Sequence, residues 1–113
     1  MNDKTFTEYT AVIAEFDGNH HGLKEYFSLI NKTEILKASY KYHSSWDWLL
    51  PVYQKISNAI YLNENKFEKF EWNRLQAARY MIEHDLLNFE IEKVFTGVAE
   101  LIILFKLLLE IKK

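Results

Sequence analysis

The sequence predicts an α+β domain dominated by helices, with a small sheet from the Val12 and Ala38 regions and an all-α domain as the alternative. Three observations lead there. Through the second half of the chain apolar residues recur at helical spacing. Near residues 12 and 38 the pattern also admits strands. The composition, 49% hydrophobic and 27% charged with three Gly and one Pro among 113 residues, is that of a globular chain. At this length one domain is expected, burying roughly 65 per cent of its unfolded surface.

From Tyr9 to Phe16 the apolar residues 9, 12, 13 and 16 fit a helix, while Val12-Ile13 also suits a strand. Asp17, Gly18, Asn19, His20, His21 and Gly22 concentrate turn formers and predict an exposed loop. Leu23, Tyr26, Phe27 and Ile30 then predict a short helix ending near Asn31-Lys32. Between Ile35 and Tyr42, alternate positions Ala38, Tyr40 and Tyr42 face one way and Lys37, Ser39 and Lys41 the other, which predicts a strand.

Ser44 or Ser45 is placed as an N-cap, with Asp47 in the first turn where its charge favours the helix dipole. The stripe Leu49, Val52, Tyr53, Ile56 and Ile60 should bury one face and leave Gln54, Lys55 and Asn58 outside. Pro51 should kink this helix or restart it. After the polar connection Asn63 to Lys66, the residues Phe67, Phe70, Arg74, Leu75, Ala78, Met81, Ile82 and Asp85 repeat with a period near 3.6. Glu68, Glu71, Gln76 and Arg79 point outward, and Glu71 can pair with Arg74. Asn88 can stop that helix.

A last helix, from Phe89 or Glu90 to about Ile111, places Ile91, Val94, Phe95, Val98, Ile102, Phe105 and Leu109 on one face. Ile103, Leu104, Leu107 and Ile111 lie off that stripe. They call for a second partner, either another helix of the same chain or a second copy in a homodimer. Leu101 to Ile111, with Lys106 and Glu110 inside it, is too short and too charged to span a bilayer.

Fourteen basic against sixteen acidic side chains give a net charge of −2. No global field draws such a chain to duplex nucleic acid or to an anionic membrane. The absence of Cys removes disulfides, thiol nucleophiles and thiolate zinc sites, and fits a reducing cytoplasm. Met1 to Thr10 has no basic region followed by an apolar core, so no signal peptide is expected. Aromatic residues make up 16%, enough for a heavily packed core or for stacking a ligand.

Three blocks carry a resemblance. Ile13-Ala14-Glu15-Phe16-Asp17-Gly18, Tyr42-His43-Ser44-Ser45-Trp46-Asp47-Trp48-Leu49-Leu50-Pro51-Val52 and Leu86-Leu87-Asn88-Phe89-Glu90-Ile91-Glu92-Lys93-Val94-Phe95 cover about a quarter of the chain. In this order they resemble a widespread family of small uncharacterised proteins encoded by bacteriophages and prophages. Members of that family usually have a more strand-like middle and a final helix richer in Trp, Tyr and Asn. The resemblance implies a phage-type accessory protein in the host bacterial cytoplasm and carries no catalytic residues across. Such a protein is expected to act by binding, with counter-defence as its setting. Its target would be a host defence protein or a nucleotide signal to be sequestered.

Chemistry-bearing residues are few. His20, His21 and Asp17 have the types of metal ligands, but adjacent loop histidines point apart and no third ligand is evident, so no metal or cofactor is expected. His43 beside Ser44, Ser45 and Asp47 has the residue types of a hydrolytic triad, for which capping is the better account of Ser45 and Asp47. With no catalytic signature, a non-enzymatic protein is expected, and a small hydrolase using His43 and Asp47 is the contrasting reading. Trp46 and Trp48 point about 200° apart on a helix, so at most one lies fully in the core stripe. Both can fill the core, with His43 or Asp47 bonded to an indole N–H. Alternatively, Trp46 or Trp48 and one of Tyr40, Tyr42 or Tyr53 sandwich a flat group, with His43 nearby, while Lys37, Lys41 or Arg74 meets phosphate. That would be a nucleotide pocket, although no Gly-rich phosphate loop accompanies it.

Overall fold

The computed structural model describes residues 2–19, 37 and 39–111, and its regular structure is helical. Helix α1 (Asp3–Phe16) is followed by α2 (Trp46–Leu62), a single 3-10 turn (Glu64–Lys66), α3 (Lys69–Leu87) and α4 (Ile91–Ile111). No strand occurs among the described residues, so the expected α+β class is corrected to all-α. The predicted helix over 23–30, the loop histidines His20 and His21, and Ala38 lie outside the described residues.

The two expected strands fail for different reasons. Around Val12 the helical alternative wins because the element begins earlier than Tyr9. The Asn2 side chain accepts the Thr5 N–H at 2.8 Å, and Phe6, Thr7, Thr10, Ile13 and Ala14 are buried at i, i+1, i+4, i+7 and i+8. Two of these are threonines, which an apolar pattern passes over. Around residue 40 the inward placement of Tyr40 and Tyr42 holds, but a turn produces it. Residues 37 and 39 are helical, Tyr42–Ser44 form a turn, and the Ser44 and Ser45 N–H groups both reach the Lys41 carbonyl, at 3.1 and 2.8 Å.

Both α1 and α3 end in the same hydrogen-bond pattern. After α1, Gly18 N–H bonds Glu15 O (3.2 Å) and Asn19 N–H bonds Ala14 O (2.8 Å), with Gly18 left-handed at φ 74°. After α3, Phe89 N–H bonds Leu86 O (3.1 Å) and Glu90 N–H bonds Asp85 O (3.0 Å), with Phe89 in the glycine position at φ 55°. Asn88 adds its side-chain amide to the His84 carbonyl at 2.9 Å, so it stops α3 as the sequence suggests. Ser45 occupies the N-cap of α2 with extended backbone, but its hydroxyl makes no capping bond. Helix α2 runs through Pro51 without interruption. Pro51 and Asp47 are both exposed, so the missing N–H bond lies on the solvent side.

Helix α4 is the hub, packing against α1, α2 and α3. That explains why it is apolar nearly all round: Val94, Phe95, Val98, Leu101, Ile102, Phe105 and Leu108 are buried. Helices α2 and α3 are joined by Arg79, whose guanidinium donates to Ser57 Oγ (3.3 Å), Tyr61 Oη (2.8 Å) and Gln76 Oε1 (2.9 Å). Helices α3 and α4 approach closely at Gly97, where a Cβ would stand 2.8 Å from Ile82 Cγ1. On α3 the periodicity overstates the inward face, because Leu75 and Ile82 are buried whereas Phe70 and Met81 are exposed.

Candidate binding surfaces

The aromatic block around residue 42 is built into the core. Tyr42 is 1% exposed, stacked at 6.4 Å on buried Tyr40 and meeting the Trp48 ring edge-on at 5.2 Å. Its hydroxyl donates to Asp17 Oδ2 at 2.6 Å and accepts from the Asn19 amide at 3.2 Å. Burial, and after it the bond to Asp17, hold the phenol pKa well above its usual range, so this group stays a neutral donor. The segment thereby ties the C-terminal cap of α1 to the start of α2. Trp46 and Trp48 are both half-buried against the core. Lys41 is exposed, and Arg74 lies over the Phe70 ring on α3 at 5.9 Å. Of the nine residues proposed to hold a nucleotide, then, Tyr42 meets Tyr40 and Trp48, ring against ring.

His43 faces α1 and α4. Its ring stands edge-on to Phe6 at 4.9 Å and to Phe95 at 6.4 Å. Burial first, and then the Lys37 ammonium, lower its pKa from the ordinary 6.5. Asp3, Phe6, Lys37, His43 and Glu92 enclose a cavity of about 170 Å³. Ser45 stands at the N-cap of α2 without a side-chain capping bond, and Asp47 lies in the first turn, where its charge favours the helix dipole. No group of three or more His, Asp or Glu side chains suited to a metal ion occurs among the described residues.

A groove of about 910 Å³ lies between α3 and α4. Its floor is apolar, formed by Met81, Ile82, Ile91, Leu101 and Leu104, and lowered by the small residues Ala78 and Gly97. Asp85, Glu90, Glu92 and Glu100 stand around it, with Lys93 the one basic lining residue among the described residues. Lys93 Nζ is bonded to Glu90 at 3.1 Å, and Glu100 accepts the Tyr9 hydroxyl at 2.9 Å. That bond to Glu100, with a smaller contribution from burial, raises the Tyr9 pKa.

Beyond the groove, α4 carries further exposed apolar residues. Thr96, Glu100, Ile103, Leu107 and Ile111 follow at i, i+4, i+7, i+11 and i+15, one face of a helix. Ile103, Leu107 and Ile111 are 42, 52 and 68% exposed, and Leu104 is half-buried at the groove wall. The four residues that the sequence set aside for a second partner therefore remain available to one. The groove itself was not anticipated. Its signal was the pair of small residues, Ala78 and Gly97, in otherwise bulky helices.

No helix among the described residues is long and apolar enough to cross a membrane. Comparison with protein-family models, with curated proteins and with solved structures gave no match.

Proposed function

We propose that the protein is a phage-type accessory protein that acts by binding another protein, and that its binding surface is the outer face of the α3–α4 hairpin. One observation carries this reading: beside the apolar groove, the fold leaves Ile103, Leu107 and Ile111 of α4 exposed. Large contiguous apolar surface is disfavoured on a monomer and is the commonest mark of an interaction site. The nucleotide target of the same binding hypothesis has less support. Stacking needs a free aromatic face, and Tyr40 and Tyr42 commit theirs to the core. Counter-defence, with a host defence protein as the target, is the setting that the phage resemblance adds.

The test is site-specific photo-crosslinking in bacterial host cells. Benzoylphenylalanine is placed at Met81 or Leu107, on the proposed face, and at Gln54, on the exposed side of α2. Protein adducts from the first two positions and none from the third are expected. Adducts of equal yield from all three, or none from Met81 and Leu107, would overturn the proposal. A melting-temperature panel of mono-, di- and cyclic nucleotides closes the other route, since a ligand at 100 times its Kd stabilises by about 2.7 kcal/mol.

A further inference from the structure

We infer that the α3–α4 groove takes an amphipathic helix with basic flanks, contributed by a protein partner; this rests on the protein-binding reading above. Shape gives the first part. Along α4 the lining runs from Glu90 to Leu104, about 21 Å at 1.5 Å per residue, which matches about four turns of a docked helix. An apolar floor with small residues at its centre, Ala78 on one wall and Gly97 on the other, lets a third helix approach closely.

Charge gives the second part. Among the described residues the lining carries four carboxylates against one lysine, a net of three negative charges, where the whole chain carries −2. Lys93 is already committed to Glu90. A partner with Lys or Arg beside its apolar stripe meets this rim favourably, and an acidic one is repelled. The same rim argues against a second copy: a two-fold dimer centred on the groove would set acidic rim against acidic rim.

The turn between α3 and α4 supplies a third observation. Phe89, between Asp85 and Glu90 in the turn that closes the hairpin, is 82% exposed while held left-handed at φ 55°. A bulky exposed residue in a position suited to glycine is a local strain that packing in this fold does not reward. As an anchor for the end of a docked helix it has a use.

Two labelled synthetic peptides of about 14 residues test this, with one shared Leu/Ala face and either Lys/Arg or Glu flanks. Fluorescence polarisation should show the basic peptide binding at least about tenfold tighter, with affinity falling as salt is added. The triple variant Asp85→Asn, Glu92→Gln, Glu100→Gln should lose about tenfold for the basic peptide and flatten its salt dependence. Met81→Lys, at an exposed position, should abolish binding while circular dichroism reports an intact fold. Equal binding of both peptides would overturn the charge argument. Failure of both peptides while Met81 and Leu107 still crosslink would overturn the basic-helix occupant and leave the protein-binding reading standing. Failure of peptides and crosslinks together would remove both. A Met81-dependent dimer in light scattering would assign the face to a second copy and overturn the occupant inferred here.

Discussion

Gly97→Ala sets two effects of similar size against each other. Gly97 lies inside α4, so replacing it with alanine should stabilise the helix by about 1 kcal/mol on propensity alone. The new methyl, however, would stand 2.8 Å from Ile82 Cγ1, where carbon atoms rest at about 3.5–4.0 Å. Ile82 is 1% exposed and β-branched, and Cγ1 belongs to the stem of its side chain, so it cannot swing clear without shifting the α3–α4 contact. Overpacking of this kind costs about 1–3 kcal/mol, which leaves a net destabilisation of about 1 kcal/mol. In an Ile82→Ala background the clash is gone, and Gly97→Ala should stabilise by about 1 kcal/mol. The double-mutant cycle therefore predicts a coupling of about 2 kcal/mol. Urea unfolding of the four proteins measures it, with sucrose present throughout because Ile82→Ala alone costs about 2–5 kcal/mol. If Gly97→Ala stabilised the unmodified chain as much as the Ile82→Ala chain, the close-approach argument would be wrong.

Three further outcomes are expected. Phe89→Gly should stabilise by about 1 kcal/mol in thermal unfolding, because it relieves a left-handed residue whose ring is exposed; a loss would mean that the ring packs in the free protein. Tyr42→Phe removes the donor to Asp17 and the acceptor for Asn19 and should cost about 1–2 kcal/mol with the near-ultraviolet dichroism retained; an unchanged midpoint would refute the role given to that hydroxyl. His43 prefers its neutral form in the fold, so the unfolded chain takes up a proton first as pH falls. Its contribution is complete above 6.5 and is lost below it, with Lys37 adding to the effect and the Tyr40 backbone and then the Glu92 carboxylate opposing it. His43→Gln should have the flatter stability profile from 6.5 downward, and parallel profiles would exclude His43 as the titrating group.

Much of the fold is legible in the sequence where a single signal governs. Leu49, Val52, Ile56 and Ile60 form the buried stripe of α2, and Asn88 stops α3, because helical periodicity and caps are local properties. The sheet was misread where local signals conflict. Val12-Ile13 satisfies helix and strand alike, and the alternation of Tyr40 and Tyr42 records only that both side chains go inward. The backbone route that takes them there is a turn held by the Lys41 carbonyl.

By itself the sequence determined four things: a chain rich in helix, the start of α2 near Ser45, the stop at Asn88, and an excess of apolar residues at Ile103, Leu104, Leu107 and Ile111. Tertiary structure alone decided how that excess is disposed. Helix α4 has neighbours on three sides, and its fourth side lies open beside α3, where Gly97 and Ala78 hollow the surface and Asp85, Glu90, Glu92 and Glu100 surround it. The physical reason is that periodicity fixes which residues share a helix face, whereas whether a face is covered depends on elements distant in sequence. The same holds for the aromatic block. Its residue types suit a stacking site, and the bond from Tyr42 to Asp17, 25 residues away, shows it instead as a clamp between α1 and α2.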